Sequence, residues 1–440
     1  MKRKLALLVL ASAVTFSCVL SGCGKNKSAN DNDAASDSSD ADMSQQSITL
    51  INSKSEVSDQ ISELASAYRS ETGVTVNVIN IPSGVDAQAT VKGLYLSDQM
   101  PDIISCEAAS FSNWDGLLVD MSSEQWVGRT DAEYVDTTYG TIGFPYATEA
   151  IGLAYNADVL EKAEIDVSAL TNPEAYSEAF KKIDSMKHDL GLIAVVGYAT
   201  EPENLGWSAG NHIFGNYLDA GLERSDTTYI DLLNNGGQLD DDRLSAFSDF
   251  IGLIQKYSDP ELLTEGTYDE QLKRFACGKY AFVTQGSWIG ATLTGNNAED
   301  YEVAGKFKVG MAPFAFQDGI DTILTSPPSW WAVPKEGNID AAKAFLQWCS
   351  ENAGQEILVE KAGFVSPFSD CSYVADDPFA PVIASYINSG KTSSWHWMNM
   401  KEGLGSNSLC YIFNSYAKNE YDAEGFASAL KEAAATYYEN

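Results

Sequence analysis

The sequence predicts an α/β fold organised in two lobes. Stretches with strand character alternate with stretches of helical spacing from residue 48 onward. The segment 48–440 is too long for one small domain, and 44% of the residues are hydrophobic. A chain of this length and composition can build two sizeable cores, and the strand–helix alternation favours parallel sheets covered by helices.

Hydrophobic spacing predicts the order of the elements. The first strand, Ile48–Ile51, is followed by apolar residues at helical spacing from Ile61 to Tyr68, and Gly73 predicts the end of that helix. Further strands are predicted at 74–79, 101–104, 151–155, 192–198, 280–284, 308–313 and 330–333. Further helices are predicted at about 85–98, 109–117, 173–187, 204–220, 240–257, 267–276, 341–348 and 423–438.

The N-terminus has the composition of a secretion signal. A basic head at 2–4 precedes an uncharged stretch that is shorter than a bilayer span and ends in small residues. Its end, Leu20–Cys23, resembles the lipobox of bacterial lipoproteins, in which the Cys is lipidated and becomes the new N-terminus. An ordinary signal peptide followed by a chance Cys is the alternative. We therefore predict a signal peptide at 1–22 and lipidation at Cys23.

Residues 23–47 predict a flexible linker. They are mainly Asn, Asp, Ser and Ala, and they contain almost no large apolar side chains that could offset the entropy of ordering. A lipid at one end of such a linker places the globular body at the extracellular face of the bacterial cell membrane. The lipid anchor is then the only expected contact with the membrane.

The composition argues against several classes of partner and of chemistry. The formal net charge is −34, so nucleic acid, which requires clustered cations, is not an expected partner. Only three His residues are present, which weakens His-based metal sites and Ser-His catalysis. The spacing of the seven Cys residues fits neither a disulfide framework nor a zinc site. One disulfide remains a possible alternative, although buried thiols are favoured. We expect neither a cofactor nor a metal.

Four stretches occur in an order that carries a family resemblance. They are the opening strand and helix with Pro101–Ile103, then Phe144–Asn156, Phe275–Trp288 and Trp331–Leu346. Over about residues 48–370 they resemble the extracellular solute-binding proteins of ABC importers, in the sugar-binding group that includes maltose-binding protein. The resemblance implies a periplasmic-binding-protein-like fold, in which hinge strands join two lobes around a ligand cleft. It implies a first lobe at 48–146 plus 310–365 and a second lobe at 150–308 plus 366–440.

A sugar presents hydroxyls at its rim and an apolar C–H face, so aromatic rings beside polar side chains suit it. The resemblance places Trp288 against the ligand. It also places Glu149 on the segment that crosses between the lobes, where an acidic residue accepts hydrogen bonds from sugar hydroxyls. Core packing is the alternative for Trp288, and a hinge salt bridge is the alternative for Glu149.

Four further polar or aromatic candidates lie near the expected cleft. Tyr146 is close to the crossing segment and could stack on a sugar or hydrogen-bond to it. Glu107, Asn52 and Ser53 follow the ends of strands, at the edge where open α/β sheets bind their ligands.

Several tryptophans could supply the aromatic surface. Trp207 is expected to face the cleft. Trp330 and Trp331 are neighbours on a strand and must point to opposite faces, and Trp330 is the preferred cleft residue. Trp395 and Trp397 form an aromatic cluster in a Gly/Ser-rich loop, and either could provide the platform of the second lobe.

The resemblance and these residues predict a monomeric, non-catalytic protein that captures a mono- or oligosaccharide and hands it to an ABC permease. An acidic and aromatic pocket also suits a polyamine or another small solute, which stays open as an alternative. A lipid-anchored glycoside hydrolase is less favoured. It would require two opposed carboxylates, a role in which Glu107 and Glu149 are the candidates.

Overall fold

The strands form three groups, one in each lobe and a small sheet between the lobes. The computed structural model describes residues 47–82 and 85–439, so the predicted signal peptide, Cys23 and almost all of the predicted linker lie outside the described residues. The strands are β1 (Ser47–Asn52), β2 (Thr75–Asn80), β3 (Ile104–Cys106), β4 (Tyr134–Asp136), β5 (Gly140–Pro145), β6 (Glu149–Ile151), β7 (Leu153–Asn156), β8 (Ala194–Gly197), β9 (Tyr280–Val283), β10 (Val309–Ala312), β11 (Ile323–Ser326), β12 (Trp330–Ala332) and β13 (Thr392–Ser393).

Helices of three types cover these strands. The α-helices are Ser58–Thr72, Ala87–Leu96, Ala157–Lys162, Pro173–Met186, Pro202–Gly206, Phe214–Asp219, Thr228–Asn234, Asp241–Lys256, Tyr268–Ala276, Ile289–Thr294, Ala298–Val303, Ile339–Cys349, Asn352–Gln355, Ala380–Asn388, Cys410–Ala417 and Ala423–Glu439. The π-helical segments are Trp207–Ile213, Glu356–Lys361 and Gly405–Leu409. Short 3₁₀ turns are Ser55–Val57, Ala108–Trp114, Val127–Arg129, Val167–Ala169 and His396–Asn399. Among the described residues, every helix is too short or too polar to span a bilayer.

The first lobe is built on the strand order β2-β1-β3-β12-β5-β4. The strands β1 and β2 are parallel, and a parallel bridge between Leu50 and Ile103 continues the sheet toward β3. The strand β12 lies between β3 and β5 and is antiparallel to both. The expectation of parallel sheets is therefore only partly correct, because the strand that returns from the other lobe enters this sheet in the opposite direction.

The second lobe has the strand order β10-β7-β9-β8. The strands β8 and β9 are parallel, whereas β7 is antiparallel to both β9 and β10. The boundary that the sequence suggests at residue 310 is wrong for β10. This strand completes the sheet of the second lobe, with Met311 opposite Ala154, before the chain crosses back to the first lobe.

A small sheet connects the two lobes and forms the hinge. The strand β6 is antiparallel to β11, with Ser326 opposite Glu149 and Leu324 opposite Ile151. The strand β13 pairs with the other edge of β11. These strands are short and lie where the chain passes from one lobe to the other, so changes in their backbone angles can rotate the lobes.

Local sequence signals explain most of the helices. The helix Ser58–Thr72 buries the apolar stripe that includes Ile61 and Tyr68, and it ends at Gly73 with a φ of 80°, as the spacing predicts. The predicted helix near 109–117 is instead the 3₁₀ segment Ala108–Trp114. The predicted helix over 204–220 contains the π-helical turn Trp207–Ile213, which changes the direction of the side chains that follow.

Candidate functional site

The first lobe brings an ammonium and several hydroxyls to the hinge. Lys54 follows β1, and its Nζ lies 2.6 Å from Oε1 of Glu149 on the hinge strand β6. The same Nζ lies 3.4 Å from Oε1 of Glu56. Beside this pair, the Ser53 hydroxyl is 2.8 Å from that of Ser105. Three charged side chains and a row of hydroxyls therefore line the first lobe where it meets the hinge.

These charged side chains shift one another's pKa values. Burial would lower the pKa of Lys54, but the carboxylates of Glu149 and Glu56 outweigh that effect and raise the pKa above its ordinary value. Burial raises the pKa of Glu149, and Lys54 opposes the rise. Burial by the surrounding protein raises the pKa of the Glu107 carboxyl to about 7, and Lys54 opposes this rise as well. Lys54 is thus a common counter-charge for the acidic groups of this site.

The second lobe supplies an aromatic cluster, which we define as Trp207, His212, Tyr268, Trp288 and Trp395 together with Trp397. The ring of His212 lies at its centre, with centroid distances of 4.8 Å to Trp288, 5.9 Å to Trp395 and 5.0 Å to Trp397. Trp207 contacts Trp288 and Tyr268 at 6.1 Å and 5.7 Å. The cluster is a continuous aromatic surface drawn from four separate stretches of sequence.

The Gly-x-Trp spacing at 286–288 has a physical reason. A Cβ on Gly286 would collide with the Trp288 ring, so glycine lets the indole lie against the backbone. Between them, Ser287 donates its backbone N–H to the carbonyl of Ala150, and its Oγ accepts from the Ala150 N–H, both at 2.9 Å. The motif therefore fixes Trp288 directly to the hinge strand β6.

Two close contacts position the rest of the aromatic cluster. Gly210, in the π-helical turn that carries Trp207 and His212, lies so close to Gly405 that a Cβ would collide with the Gly405 carbonyl. The loop that carries Trp395 is held by His396, whose backbone N–H donates to Asp219 at 2.8 Å and whose Nδ1 lies 2.6 Å from the other oxygen of that carboxylate.

Several ring nitrogens in the cluster are buried without a hydrogen-bond partner among the described residues. They are Nε1 of Trp288, Trp395 and Trp397 and Nδ1 of His212. Burial, with a contribution from Lys54, lowers the pKa of His212 to about 3, so its ring is neutral at physiological pH. Unpaired buried donors cost free energy. The three indole N–H groups therefore favour a ligand that offers hydrogen-bond acceptors.

The first-lobe charges and the aromatic cluster meet at the hinge. Glu56, Glu149 and Trp288 line one cavity of about 20 Å³ that also includes Asp377. A second cavity of about 10 Å³ is lined by His212, Trp288 and residues of the loop after β9. The two surfaces are nearly in contact here, so the lobes must separate before a ligand can enter between them.

The structure brings six of the sequence-predicted residues to this meeting point. Glu149 and Trp288 share a cavity, and Trp207, Trp395 and Trp397 belong to the aromatic cluster. Glu107 follows β3, and Lys54 of the first lobe and Glu402 of the second both act on its carboxyl. The hinge salt bridge that is the alternative for Glu149 is present.

Trp330 does not face the cleft, which corrects the sequence-based preference. Its ring is 6% exposed, it packs against Phe111 and Tyr134, and its Nε1 donates to the Ala132 carbonyl at 2.7 Å. The expected alternation itself is correct, because Trp331 belongs to the other core of the first lobe. Long-range packing decides which face each ring takes.

Three further predicted residues are occupied by contacts within the protein. The amide of Asn52 donates to the oxygens of Lys54 and Asn80 and accepts from the Lys54 N–H. The ring of Tyr146 stacks on Trp331 at 4.5 Å, and its hydroxyl lies 2.7 Å from that of Ser329. The Ser53 hydroxyl pairs with Ser105. In this conformation these groups support the floor of the site and do not offer free polar atoms to a ligand.

Sequence reasoning missed four residues of the site, namely Lys54, Glu56, His212 and Tyr268. Lys54 directly follows the predicted Ser53, so its position at the end of β1 was the available signal. His212 was hidden within a predicted helix. No local sequence pattern marks Glu56 or Tyr268 as a site residue. Only the tertiary fold brings Tyr268 close enough to Glu56 and Lys54 for their charges to act on its hydroxyl.

The described residues form neither a metal site nor a disulfide. In this part of the chain no three His, Cys, Asp or Glu side chains come together to hold a metal ion. The five cysteines within it are free, and Cys106, Cys349 and Cys410 are buried.

Two lobes on a strand hinge, with charged groups of one lobe facing an aromatic surface of the other, define a solute-binding protein of the periplasmic-binding-protein type. The profile of the family described as bacterial extracellular solute-binding protein matches residues 63–381. The chain belongs to this family of extracellular solute-binding proteins.

Solved structures share this fold. RafE in complex with raffinose superposes with a TM-score of 0.70 at 17% identity, covering 89% of this chain and 99% of that one. The GacH receptor of Streptomyces glaucescens, described unliganded and with acarbose, gives 0.67 at 18% identity over 90% and 99%. A sugar transporter from Bacillus licheniformis in complex with stachyose gives 0.65 at 13% identity over 88% and 98%. A search of curated proteins finds no match.

Proposed function

We propose that this protein is the substrate-binding component of an ABC importer and that its ligand is a carbohydrate. The observation that carries this proposal is the aromatic cluster, whose buried ring nitrogens have no partner among the described residues and which faces carboxylates at the hinge. Raffinose, acarbose and stachyose, named with the structural relatives, belong to the same chemical class.

The two surfaces suit the two sides of a sugar. The indole of Trp288 offers an apolar face for the C–H surface of a pyranose ring. The carboxylates of Glu107 and Glu149 accept hydrogen bonds from hydroxyls, whereas Lys54 and the ring nitrogen of Trp288 donate to them. Because each lobe contributes a different chemical half of the site, a bound sugar stabilises the closed arrangement over the open one.

The alternatives fit these contacts less well. A polyamine needs free carboxylates, but the ammonium of Lys54 already lies within 3.4 Å of Glu56 and 2.6 Å of Glu149. A retaining or inverting hydrolase needs an acid and a second carboxylate on opposite sides of the bond that breaks. Glu149, one of the two candidates for that role, is held in an ion pair with Lys54, which disfavours it as an acid or a nucleophile.

We also propose the cellular setting from the sequence. Cleavage after residue 22 and lipidation of Cys23 would tether the protein to the outer face of the cell membrane through the linker 23–47. The protein would act as a monomer and would present the closed, loaded form to the permease subunits. The first lobe would comprise the chain up to about residue 146 and the return segment from β12 to about residue 365, and the second lobe the rest.

A thermal-shift screen tests the proposed ligand class. Purified protein is heated with mono- to tetrasaccharides of the malto-, raffinose and chito-oligosaccharide series, with spermidine, and with a tripeptide mixture. We expect at least one saccharide to raise the unfolding midpoint and to be recovered intact afterwards. Stabilisation by spermidine or peptides but by no saccharide would refute the proposal, and so would cleavage of the bound saccharide.

A further inference from the structure

The loop 219–224 of the second lobe holds two of the three strands of the hinge sheet. It lies against β11 and β13 through both backbone and side-chain contacts. The Gly221 N–H donates to the hydroxyl of Thr322, just before β11, at 2.9 Å. The hydroxyl of Ser393 on β13 donates to the Leu222 carbonyl at 2.6 Å. We name this loop the hinge clamp.

Arg224, the last residue of the hinge clamp, binds both of these strands. Its Nη1 donates to the carbonyl of Thr325 at 3.0 Å, to the hydroxyl of Thr325 at 2.7 Å and to the carbonyl of Ser393 at 3.1 Å. Thr325 lies opposite Ala150 of the crossing strand β6. Because a guanidinium is planar and presents its donors in a fixed arrangement, one side chain joins β11 and β13 in a defined geometry. Arg224 therefore fastens the hinge sheet to the second lobe beside the strand pair that crosses between the lobes.

The same guanidinium lies where the two lobes meet. Desolvation lowers the pKa of Arg224, and the carboxylates of Asp131 and Asp219 oppose this effect. Asp131 belongs to the first lobe and precedes β4, whereas Asp219 begins the hinge clamp. A rotation of the lobes therefore changes the distance between Arg224 and Asp131, while Arg224 and Asp219 move together.

The other end of the hinge clamp holds a part of the aromatic cluster. The side chain of Asp219 is buried, and one of its oxygens accepts from the His396 backbone N–H at 2.8 Å. The other oxygen lies 2.6 Å from Nδ1 of the same histidine. His396 directly follows Trp395, whose ring belongs to the aromatic cluster. One short loop therefore connects a ring of the proposed sugar site with the strands of the hinge.

We propose that the hinge clamp is a positioning element that couples contact between the ligand and Trp395 to closure of the lobes, with Arg224 as its key residue. A movement of Trp395 on binding displaces His396 and Asp219, and Arg224 transmits the displacement to β11 because it binds that strand directly. This inference rests on the proposed function for its ligand. It goes beyond that function by assigning a role in closure to residues that do not touch the sugar.

Hydrogen exchange without ligand tests the hold of the hinge clamp on the hinge. Arg224→Gln removes the charge and most of the donors of this side chain. We expect backbone amides in peptides that cover β6 and β11 to exchange at least about threefold faster, and those of β9 in the core of the second lobe to exchange at the wild-type rate. Arg69→Gln, at an exposed position of the helix Ser58–Thr72, is the matched control and should exchange like the wild type throughout.

Affinity and dissociation kinetics test the coupling, with the best-binding saccharide of the thermal-shift screen as the probe. Arg224→Gln should weaken binding by about three- to tenfold, mainly through faster dissociation. Arg224→Lys keeps the charge and a donor group and should recover part of this loss. Asp219→Asn weakens the link to His396 and should also reduce affinity. Because both residues act through one loop, the double variant should lose less than the product of the two single losses.

The outcomes separate the hinge clamp from the proposed function. Wild-type exchange at β6 and β11 in Arg224→Gln would overturn the hold of the clamp on the hinge. A lower unfolding midpoint of Arg224→Gln with unchanged sugar affinity would make its contacts merely structural and would overturn the coupling. Losses that multiply in the double variant with Asp219→Asn would also overturn it. Failure of every saccharide to bind would instead overturn the proposed function, and faster exchange in Arg224→Gln would still support the hold on the hinge.

Discussion

Nζ of Lys54 lies 2.6 Å from Oε1 of Glu149, so an ammonium of the first lobe is ion-paired with a carboxylate of the hinge. The two side chains are only 15% and 6% exposed, and they are 95 residues apart in the sequence. Because desolvation opposes any buried charge, each partner depends on the other to stay charged. The pair links the position of the first lobe to the strand on which it pivots.

Removing the Lys54 ammonium should show how strongly the charge of Glu149 depends on it. Lys54→Met leaves Glu149 buried without its partner and should cost roughly 3–5 kcal/mol of unfolding free energy at neutral pH. The loss of Lys54 also raises the pKa of Glu149 further, so the folded state binds a proton more strongly than the unfolded chain, whose Glu pKa is about 4.3. The stability of the variant should therefore fall as pH rises above that value.

Chemical unfolding at pH 5 and pH 8 measures both effects. The double variant with Lys54→Met and Glu149→Gln removes both charges and should recover most of the lost stability. A Lys54→Met protein as stable as the wild type at both pH values would contradict the assignment of this pair as a buried, mutually dependent interaction.

Asp377 should make stability depend on pH in a defined direction. Its side chain is 9% exposed and accepts a hydrogen bond from the Phe379 N–H at 2.8 Å, and burial raises its pKa to about 7. The unfolded value is about 3.9, so the folded state binds the proton more strongly between the two values. Unfolding free energy should therefore fall as pH rises from about 4 through 7, by up to about 4 kcal/mol at full ionisation.

Asp377→Asn keeps the acceptor oxygen and removes the titration. The variant should lose most of this slope and exceed the wild type in stability at pH 8, as measured by urea unfolding between pH 5 and pH 8. Asp376→Asn, at the exposed neighbouring position, is the matched control and should keep most of the slope, because Asp376 contributes the smallest of the charge effects on Asp377. An unchanged slope in Asp377→Asn would assign the pH dependence to other groups.

Local patterns predicted much of the fold. Helical spacing identified the helix Ser58–Thr72 and its end at Gly73, the strand–helix alternation predicted α/β layers, and the chain length and the family resemblance predicted two lobes. Local patterns could not place β10, because a strand that runs just before the hinge has the same composition whichever sheet it joins. Pairing with β7, more than 150 residues earlier, is a property of the tertiary fold.

The site was predictable where a motif fixes a side chain to its own backbone. Gly286 lets the indole of Trp288 lie against its own backbone, so the motif indicates the orientation of the indole, whereas the bonds from Ser287 to Ala150 that fix it to β6 are long-range. Trp330 had no such constraint, and its face is chosen by packing against Phe111 and Tyr134. His212 was not predictable, since the π-helical turn that carries it packs closely against Gly405 of a distant segment.

Contacts across the cleft should control how tightly the lobes close. Glu402 of the second lobe forms an exposed ion pair with Lys92 of the first lobe, worth about 0.2–1 kcal/mol. Glu402→Gln weakens this pair, so it should reduce sugar affinity by up to about fivefold and speed dissociation of the sugar. Saturating sugar should still reduce the radius of gyration measured by small-angle scattering, in the wild type and in the variant.

The matched control is Glu164→Gln, which breaks an exposed pair with Lys182 within the second lobe and should leave sugar affinity unchanged. A radius of gyration that does not respond to saturating sugar in the wild type would contradict closure about the hinge. Equal affinities in Glu402→Gln and the wild type would remove the contacts of Glu402 from the closing mechanism.

Membrane association should depend on a single residue. Cys23→Ala removes the proposed site of lipidation, and we expect the protein to move from the membrane fraction to the medium because the lipid is its proposed anchor. Immunoblotting of washed membranes and of the medium measures the distribution, with Cys18→Ala as the control that should stay on the membrane. Retention of Cys23→Ala on membranes after a high-salt wash would contradict the lipoprotein interpretation.

The affinity and the unfolding midpoint of Trp288→Ala, measured on one preparation with the best-binding saccharide, test the sugar site most directly. An indole that covers one sugar ring keeps roughly 100 Å² of apolar surface from water, worth about 2.5 kcal/mol. We therefore expect affinity about 100-fold weaker, with a midpoint close to that of the wild type. Trp126→Phe, in the core of the first lobe, should show the reverse pattern. Near-normal affinity of Trp288→Ala combined with a large fall in its midpoint would show that Trp288 packs the core, and would contradict a carbohydrate site built on it.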